Sequence, residues 1–192
     1  MDKKIILISG CKRCGKDTVA NRLMERIPNS AKFCFADPLR EICSIAFGFT
    51  PEHYGDDLKE VIVPEWNMSP RDALIKVGTE LFRKQVDPDI WVKSTINRIK
   101  QSSAQYIFIT DARFYNELQM VKDAFPNHHT FLIIRPDVIP KNGITGAHET
   151  EHFGILQSIE TSYVFDGVFI NHNLDHVDNC VEQMFEIITC KK

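Results

Sequence analysis

Lys4-Ile5-Ile6-Leu7-Ile8-Ser9 runs straight into Gly10-Cys11-Lys12-Arg13-Cys14-Gly15-Lys16-Asp17-Thr18, and this stretch carries the strongest architectural signal in the chain. Its first six residues form a short continuous apolar run, the pattern of a strand buried on both faces. Gly10 breaks that run. From residue 16 to 27 the apolar positions Val19, Ala20, Leu23 and Ile27 recur at helical spacing until Pro28 and Asn29 stop the helix. Strand, glycine-bounded loop and helix together satisfy GxxxxGK in the context its chemistry requires. Backbone N–H groups and the positive end of the helix can wrap phosphate oxygens there, and Lys16 can reach the β- and γ-phosphates of a nucleotide. After the lysine stands Asp17, where a serine or threonine usually ligates Mg²⁺; Thr18 comes one position late. The Asp17 carboxylate is expected to hold the ion, directly or through water. Its alternative role is that of a first-turn acid favoured by the helix dipole.

Outward from this stretch, apolar runs alternate with amphipathic ones. Residues 31–36 (AKFCFA) predict a second strand, with Asp37 as N-cap and Pro38 in the first turn of a helix over 39–47. Residues 50–67, with Pro51, Gly55 and Pro64, predict an irregular excursion with short helical pieces. Ser69-Pro70 opens a helix whose stripe is Leu74, Ile75, Leu81 and Phe82, and a further helix covers 90–100. Strands are predicted at 105–110, 129–135 and 167–171, helices at 115–125 and 174–189, and a loop at 136–146. Strands alternating with helices imply parallel pairing with right-handed crossovers, hence a three-layer α/β domain with a five-stranded parallel sheet.

Composition excludes several classes. The 192 residues carry 23 basic and 26 acidic side chains, a formal charge of −3, so no broad electrostatic footprint for nucleic acid exists. No apolar run reaches the length of a membrane span, and the amino terminus lacks a signal peptide's long apolar segment. A cytoplasmic location is expected, the host cytoplasm if the source is viral. Of six cysteines only Cys11 and Cys14 have CxxC spacing. A zinc ribbon needs a second close pair. Reduced thiols are the expected state, with a redox role for Cys11 and Cys14 as the alternative.

Further motifs follow in order: Asp37-Pro38-Leu39-Arg40, Arg71 with LIKVGT at 74–79, Trp91-Val92-Lys93, Asp111-Ala112-Arg113 with Glu117, His148-Glu149-Thr150-Glu151, and the closing Phe169-Ile170-Asn171. With GCKRCGKDT, this series resembles the deoxynucleoside monophosphate kinases of large phages and viruses and, more distantly, the animal-type phosphomevalonate kinases. The resemblance runs over nearly the whole chain. It implies a P-loop nucleoside monophosphate kinase-like fold, with a helical substrate-binding insertion at about 48–100 and a lid at about 136–160. It also implies ATP and Mg²⁺ as cofactors and a deoxynucleoside monophosphate as substrate. Lys12, Arg13, Gly15, Lys16, Asp17 and Thr18 would hold ATP, with Lys12 also reaching the acceptor's phosphate. Leu39, Arg40, Arg71, Gly78, Thr79, Trp91, Asp111, Arg113 and Glu117 would line the monophosphate site, and Thr150 and Glu151 would close over it. The implied catalytic set is Lys16, Arg13, Arg113 and Asp111. A homodimer stays open; no nucleic-acid or membrane partner is expected.

The chemistry is coherent on its own terms. A phosphate acceptor is already ionised near neutral pH, so transfer needs cations and exclusion of water rather than a general base. Lys16, Arg13, Arg71 and Arg113 stand at loop, helix-start or strand-end positions, where α/β sheets bind ligands. Asp111 follows IFIT at 107–110, where a strand-end carboxylate meets Mg²⁺; Asp17 and Asp111 are the candidate metal residues, helix capping being the alternative for Asp111. Gly78 inside a good helix costs about 1 kcal/mol against alanine, which implies close approach of a ligand or a neighbouring helix. Trp91 is a candidate for stacking on a base, with core packing the commoner role of a helical Trp. A rival pattern is His148-Glu149-Thr150-Glu151-His152, which matches the HExxH of zinc hydrolases. Its loop-like preceding residues fit a lid better. A phosphomevalonate kinase-like enzyme and a non-catalytic nucleotide-binding module are the remaining alternatives.

Overall fold

In the computed structural model, which describes residues 3–112, 114–138 and 165–190, five strands form one parallel sheet: β1 (Lys4–Ser9), β2 (Ser30–Phe33), β3 (Tyr106–Ile109), β4 (His128–Ile134) and β5 (Gly167–Ile170). Their order is β2-β3-β1-β4-β5. The chain leaves β1 through α1 (Lys16–Arg26) toward β2 on one side. It leaves β3 through α5 (Tyr115–Ala124) toward β4 on the other side. The direction of winding therefore reverses at β1, and open α/β sheets bind ligands outside the carboxyl ends of the strands at such a reversal.

β1 is continuous in its hydrophobicity because it is central. Ile5, Ile6, Leu7 and Ile8 are all wholly buried, each contributing on the order of 1.5–3 kcal/mol by burial. Ile6 and Ile8 join Val19, Ala20 and Leu23 of α1, Phe131 of β4 and Val181 and Met184 of α6 (Leu174–Thr189) in one apolar cluster. The polar edges of α1 and α6 are tied as well. Arg22 pairs with Asp178, and Arg26 pairs with Glu182 at 2.5 Å while its guanidinium lies 4.1 Å from the Phe185 ring centroid. Among the described residues no helix is long and apolar enough to cross a membrane.

The chain divides into two compact units, one of Met1–Cys34 with Gln101–Lys192 and one of Phe35–Lys100. The second holds α2 (Asp37–Phe47), a 3₁₀ turn (Pro51–Tyr54), α3 (Pro70–Ile75) and all but the last residue of α4 (Ile90–Gln101). Ser69 caps α3 reciprocally with Asp72: its hydroxyl accepts from the Asp72 N–H, and the Asp72 carboxylate accepts from the Ser69 N–H, both at 3.1 Å. Phe47 packs against Phe49 and Trp66, and the Trp66 indole donates to the Phe47 carbonyl at 3.0 Å, ordering the excursion before α3.

Three local expectations are corrected. Strand β2 ends at Phe33, not residue 36. Asp37 lies inside the first turn of α2, after Ala36, and its carboxylate pairs with Arg40 at 3.2 Å instead of capping. The helix begun by α3 widens into π turns over Lys76–Arg83. Wider turns advance fewer degrees per residue than an α-helix, so the expected stripe does not hold its face and Leu81 is 45% exposed.

Candidate phosphate-binding site

The bend after β1 is assembled from unusual backbone. Gly10 has φ +150°, Arg13 φ +63° and Gly15 φ +97°, and alternation of left- and right-handed residues turns successive N–H groups toward one point. Side chains are also excluded at both ends. A Cβ on Gly10 would fall on the Ile133 carbonyl oxygen and within 2.6 Å of Cys14 Sγ, and one on Gly15 would lie 2.5 Å from Asn171 Nδ2. Between them the Cys14 N–H donates to the Cys11 carbonyl at 3.3 Å, and α1 starts at Lys16.

Other strand ends hold this bend in place. After β5, the buried Asn171 donates through Nδ2 to the Cys14 carbonyl at 2.7 Å, and its own N–H bonds the Ile134 carbonyl at 2.8 Å. After β4, the Arg135 guanidinium reaches the Arg13 carbonyl at 3.5 Å. Lys16, half-buried, rests its ammonium on the Cys11 carbonyl at 3.2 Å, a neutral acceptor that an anionic phosphate oxygen can replace. Lys12, Arg13 and Thr18 are exposed around it.

Asp17 has a partner that the sequence did not reveal. Lys32 of β2 donates to its carboxylate at 2.6 Å, and Thr110 at the end of β3 donates at 2.8 Å. Burial pushes the Asp17 carboxyl up, but these two bonds and the charges of Lys32 and Lys16 outweigh it, leaving the group below its usual range. A lysine, not an arginine or metal alone, therefore offsets the negative charge beside the bend. Asp111 follows Thr110 at the same strand end. Asp17, Thr18 and Asp111 supply hard oxygen donors of the kind Mg²⁺ takes, and the glycine-bounded cradle fits a polyphosphate. Glu117 is 2% exposed in the first turn of α5, and its carboxylate accepts from the Phe114 N–H at 3.1 Å.

The two cysteines of the bend interact. Interaction with the Cys14 thiol, buried in the apolar cluster, together with Lys16 and backbone N–H groups nearby, outweighs burial and draws the Cys11 thiol down to about 6. The same interaction and burial push Cys14 far up.

In the second unit, Arg71 pairs with Glu60 at 2.9 Å, Arg40 with Asp37, and Thr79 is exposed. Two alternatives there are narrowed. A Cβ on Gly78 would overlap Leu39 Cδ2, so a neighbouring helix accounts for the missing side chain, and Leu39 is consumed by the same contact. Trp91 is 4% exposed, packs on Phe82 and donates its indole N–H to the Gly78 carbonyl at 3.0 Å. Its ring is core, not a stacking platform. Arg113, Thr150, Glu151 and the His148–His152 pattern lie outside the described residues. Among the described residues no group of three or more metal-binding side chains gathers.

Comparison with known proteins agrees with this geometry. Residues 4–61 match the family model of deoxynucleotide monophosphate kinase. That stretch contains β1, the glycine-bounded bend, α1, β2 and α2. No curated protein matches the chain. Among solved structures, the chain is similar to the shikimate kinase of Bacteroides thetaiotaomicron (11% identity, 97% of this chain and 98% of that one, TM-score 0.52). It is also similar to the APS kinase of Mycobacterium tuberculosis (9% identity, 98% and 99%, TM-score 0.52) and to TT1252 of Thermus thermophilus (17% identity, 99% and 100%, TM-score 0.50). At such identities the likeness is one of fold: an α/β P-loop kinase fold with a five-stranded parallel sheet. Together, the family match and the fold support a phosphotransferase.

Proposed function

We propose that the chain transfers the γ-phosphoryl group of ATP to a deoxynucleoside monophosphate, giving ADP and a deoxynucleoside diphosphate for DNA synthesis. The observation that carries this reading is the bend Gly10–Lys16, clamped by Asn171, with Lys16 poised on the Cys11 carbonyl. Its N–H groups bind the β- and γ-phosphate oxygens while Lys16 and Arg13 neutralise charge that spreads over the transferring group. Mg²⁺, when bound, would supply neutralisation of phosphate charge. Asp17 and Asp111 would hold it, Asp17 sharing its carboxylate with Lys32. Lys12, Arg40, Arg71, Thr79, Arg113 and Glu117 are assigned to the acceptor, with Thr150 and Glu151 covering it. Trp91, Gly78 and Leu39 shape the unit that carries Arg71 and Thr79. The name of the matching family model supports a deoxynucleotide acceptor over phosphomevalonate.

The test is an ADP-release assay across the deoxynucleoside monophosphates, their ribose counterparts and phosphomevalonate. Turnover is expected with at least one deoxynucleotide; turnover with phosphomevalonate alone, or with none of these acceptors, refutes the reading. Lys16→Ala is expected to lower turnover by at least about a hundredfold with unchanged circular dichroism, because among the described residues the side chain's hydrogen bond goes to a loop carbonyl alone.

A further inference from the structure

Cys11 and Cys14 occupy the bend itself, and its function as a phosphate cradle uses their backbone but neither thiol. We propose that they form a reversible thiol–disulfide site, oxidised by a peroxide or small-molecule disulfide, whose closure weakens nucleotide binding. The effect on nucleotide rests on the function proposed above; the disulfide itself does not.

Geometry places the pair. The 3.3 Å bond from the Cys14 N–H to the Cys11 carbonyl closes a four-residue turn, which brings the two Cα atoms within about 7 Å. Disulfides bridge Cα separations of about 4.4–6.8 Å. The two thiols are close enough to shift each other's titration. Their environments divide the labour. Cys11 is half-buried, and the Lys16 ammonium and the backbone N–H of Arg135 after β4 both draw its thiol down. Lys12 and Arg13 add positive charge from the bend. These groups favour the thiolate, the nucleophilic form. Cys14 is wholly buried and protonated, the resolving partner.

The step balances. The Cys11 thiolate attacks a peroxide oxygen, giving a sulfenic acid and one water after proton uptake. The Cys14 sulfur then attacks the sulfenic sulfur, forming the S–S bond and releasing a second water. Two thiols lose two electrons; one peroxide gains them. A dithiol reverses the bond by exchange.

Closure must move the Cys11 side. Cys14 is fixed by the Asn171 bond to its carbonyl, by the apolar cluster and by Gly10 beneath its sulfur. Bonded sulfurs stand at about 2.0 Å, so the two must close in from non-bonded separation. That displacement falls on the carbonyl holding Lys16 and on the N–H groups that follow. Misplacing even one N–H that bonds a charged phosphate oxygen costs about tenfold or more, so at least tenfold weaker nucleotide binding is expected. Coupling is reciprocal, so a tenfold preference for the reduced form raises the dithiol's midpoint potential by about 30 mV when nucleotide is present.

The experiment uses the whole chain. Binding of a nonhydrolysable ATP analogue is measured after reduction with dithiothreitol, after hydrogen peroxide, and after re-reduction, with the linkage mapped by peptide mass. Expected are a Cys11–Cys14 disulfide, at least tenfold weaker binding that dithiothreitol restores, and the upward shift in midpoint. Cys11→Ser should abolish the difference between oxidised and reduced affinity. Peroxide that leaves the pair unlinked, a mapped disulfide with affinity changed less than twofold, or equal oxidant sensitivity in Cys11→Ser overturns the proposal. Failure of the reduced chain to bind the analogue instead refutes the proposed function and the nucleotide coupling with it, while the peptide mass still decides the disulfide.

Discussion

Replacing Asn171 by aspartate keeps the shape of a buried side chain and inverts one hydrogen bond. In the native chain Nδ2 donates to the Cys14 carbonyl at 2.7 Å, and the residue is 1% exposed. The aspartate puts an oxygen against that oxygen. Loss of the donor leaves a buried carbonyl unmet, worth about 1–3 kcal/mol. Burial of an unpaired carboxyl adds further cost, so about 3 kcal/mol in total is expected. For a chain of this size that is a fall in Tm of about 6–12 °C. Asn171→Ala should be milder, at about 1–2 kcal/mol, because Asn171 Oδ1 has no hydrogen-bond partner among the described residues and its removal relieves that defect. Both variants free the Cys14 carbonyl and so loosen the phosphate-binding bend. The KM for ATP should rise about tenfold in each, beyond what unfolding at the assay temperature explains. Thermal melts and ATP saturation curves check this. An aspartate variant as stable as the alanine one, or lowered Tm with an unchanged KM for ATP in both, refutes the clamp.

Gly78→Ala tests the helix contact: the propensity gain of about 1 kcal/mol is outweighed by overlap with Leu39, which costs about 1–3 kcal/mol, and urea unfolding should show a net loss. Trp91→Phe removes the indole bond to the Gly78 carbonyl but keeps a ring against Phe82, so stability falls by about 1–2 kcal/mol and the KM for the acceptor stays unchanged; a raised acceptor KM restores the stacking role. Asp17 titrates below its usual range, so its contribution to stability is complete above the ordinary carboxylate pKa and is lost as pH falls through the lowered folded value. Lys32→Met removes the main cation that lowers it, and the acid unfolding midpoint, followed by circular dichroism, should move to higher pH.

The layered α/β fold was legible because period and continuity were unambiguous where burial is complete. Ile5–Ile8 read as a central strand, and Val19, Ala20, Leu23 and Ile27 as a buried stripe, and all eight are buried. Legibility failed where the deciding contact joins distant residues. Nothing near Asn171 signals that it holds a carbonyl 157 residues earlier, and nothing near Asp17 signals Lys32 across the sheet. The widened turns at 76–83 were invisible for a different reason: a stripe spaced for 3.6 residues per turn looks alike until the backbone departs from it. Trp91 shows the limit for single side chains, because an indole's polar N–H suits a ligand or a backbone carbonyl equally well.

The tie between α1 and α6 has a consequence during synthesis. A ribosome releases the phosphate-binding bend and α1 early, but the residues that back them come from the far end of the chain. At about 5–20 residues per second, the 157 residues separating Cys14 from Asn171 take about 8–31 s to emerge. Throughout that interval Val19, Ala20 and Leu23 have no cover from α6, and the bend lacks its clamp. A nascent polypeptide therefore completes the backing of this bend only when its closing helix leaves the exit tunnel.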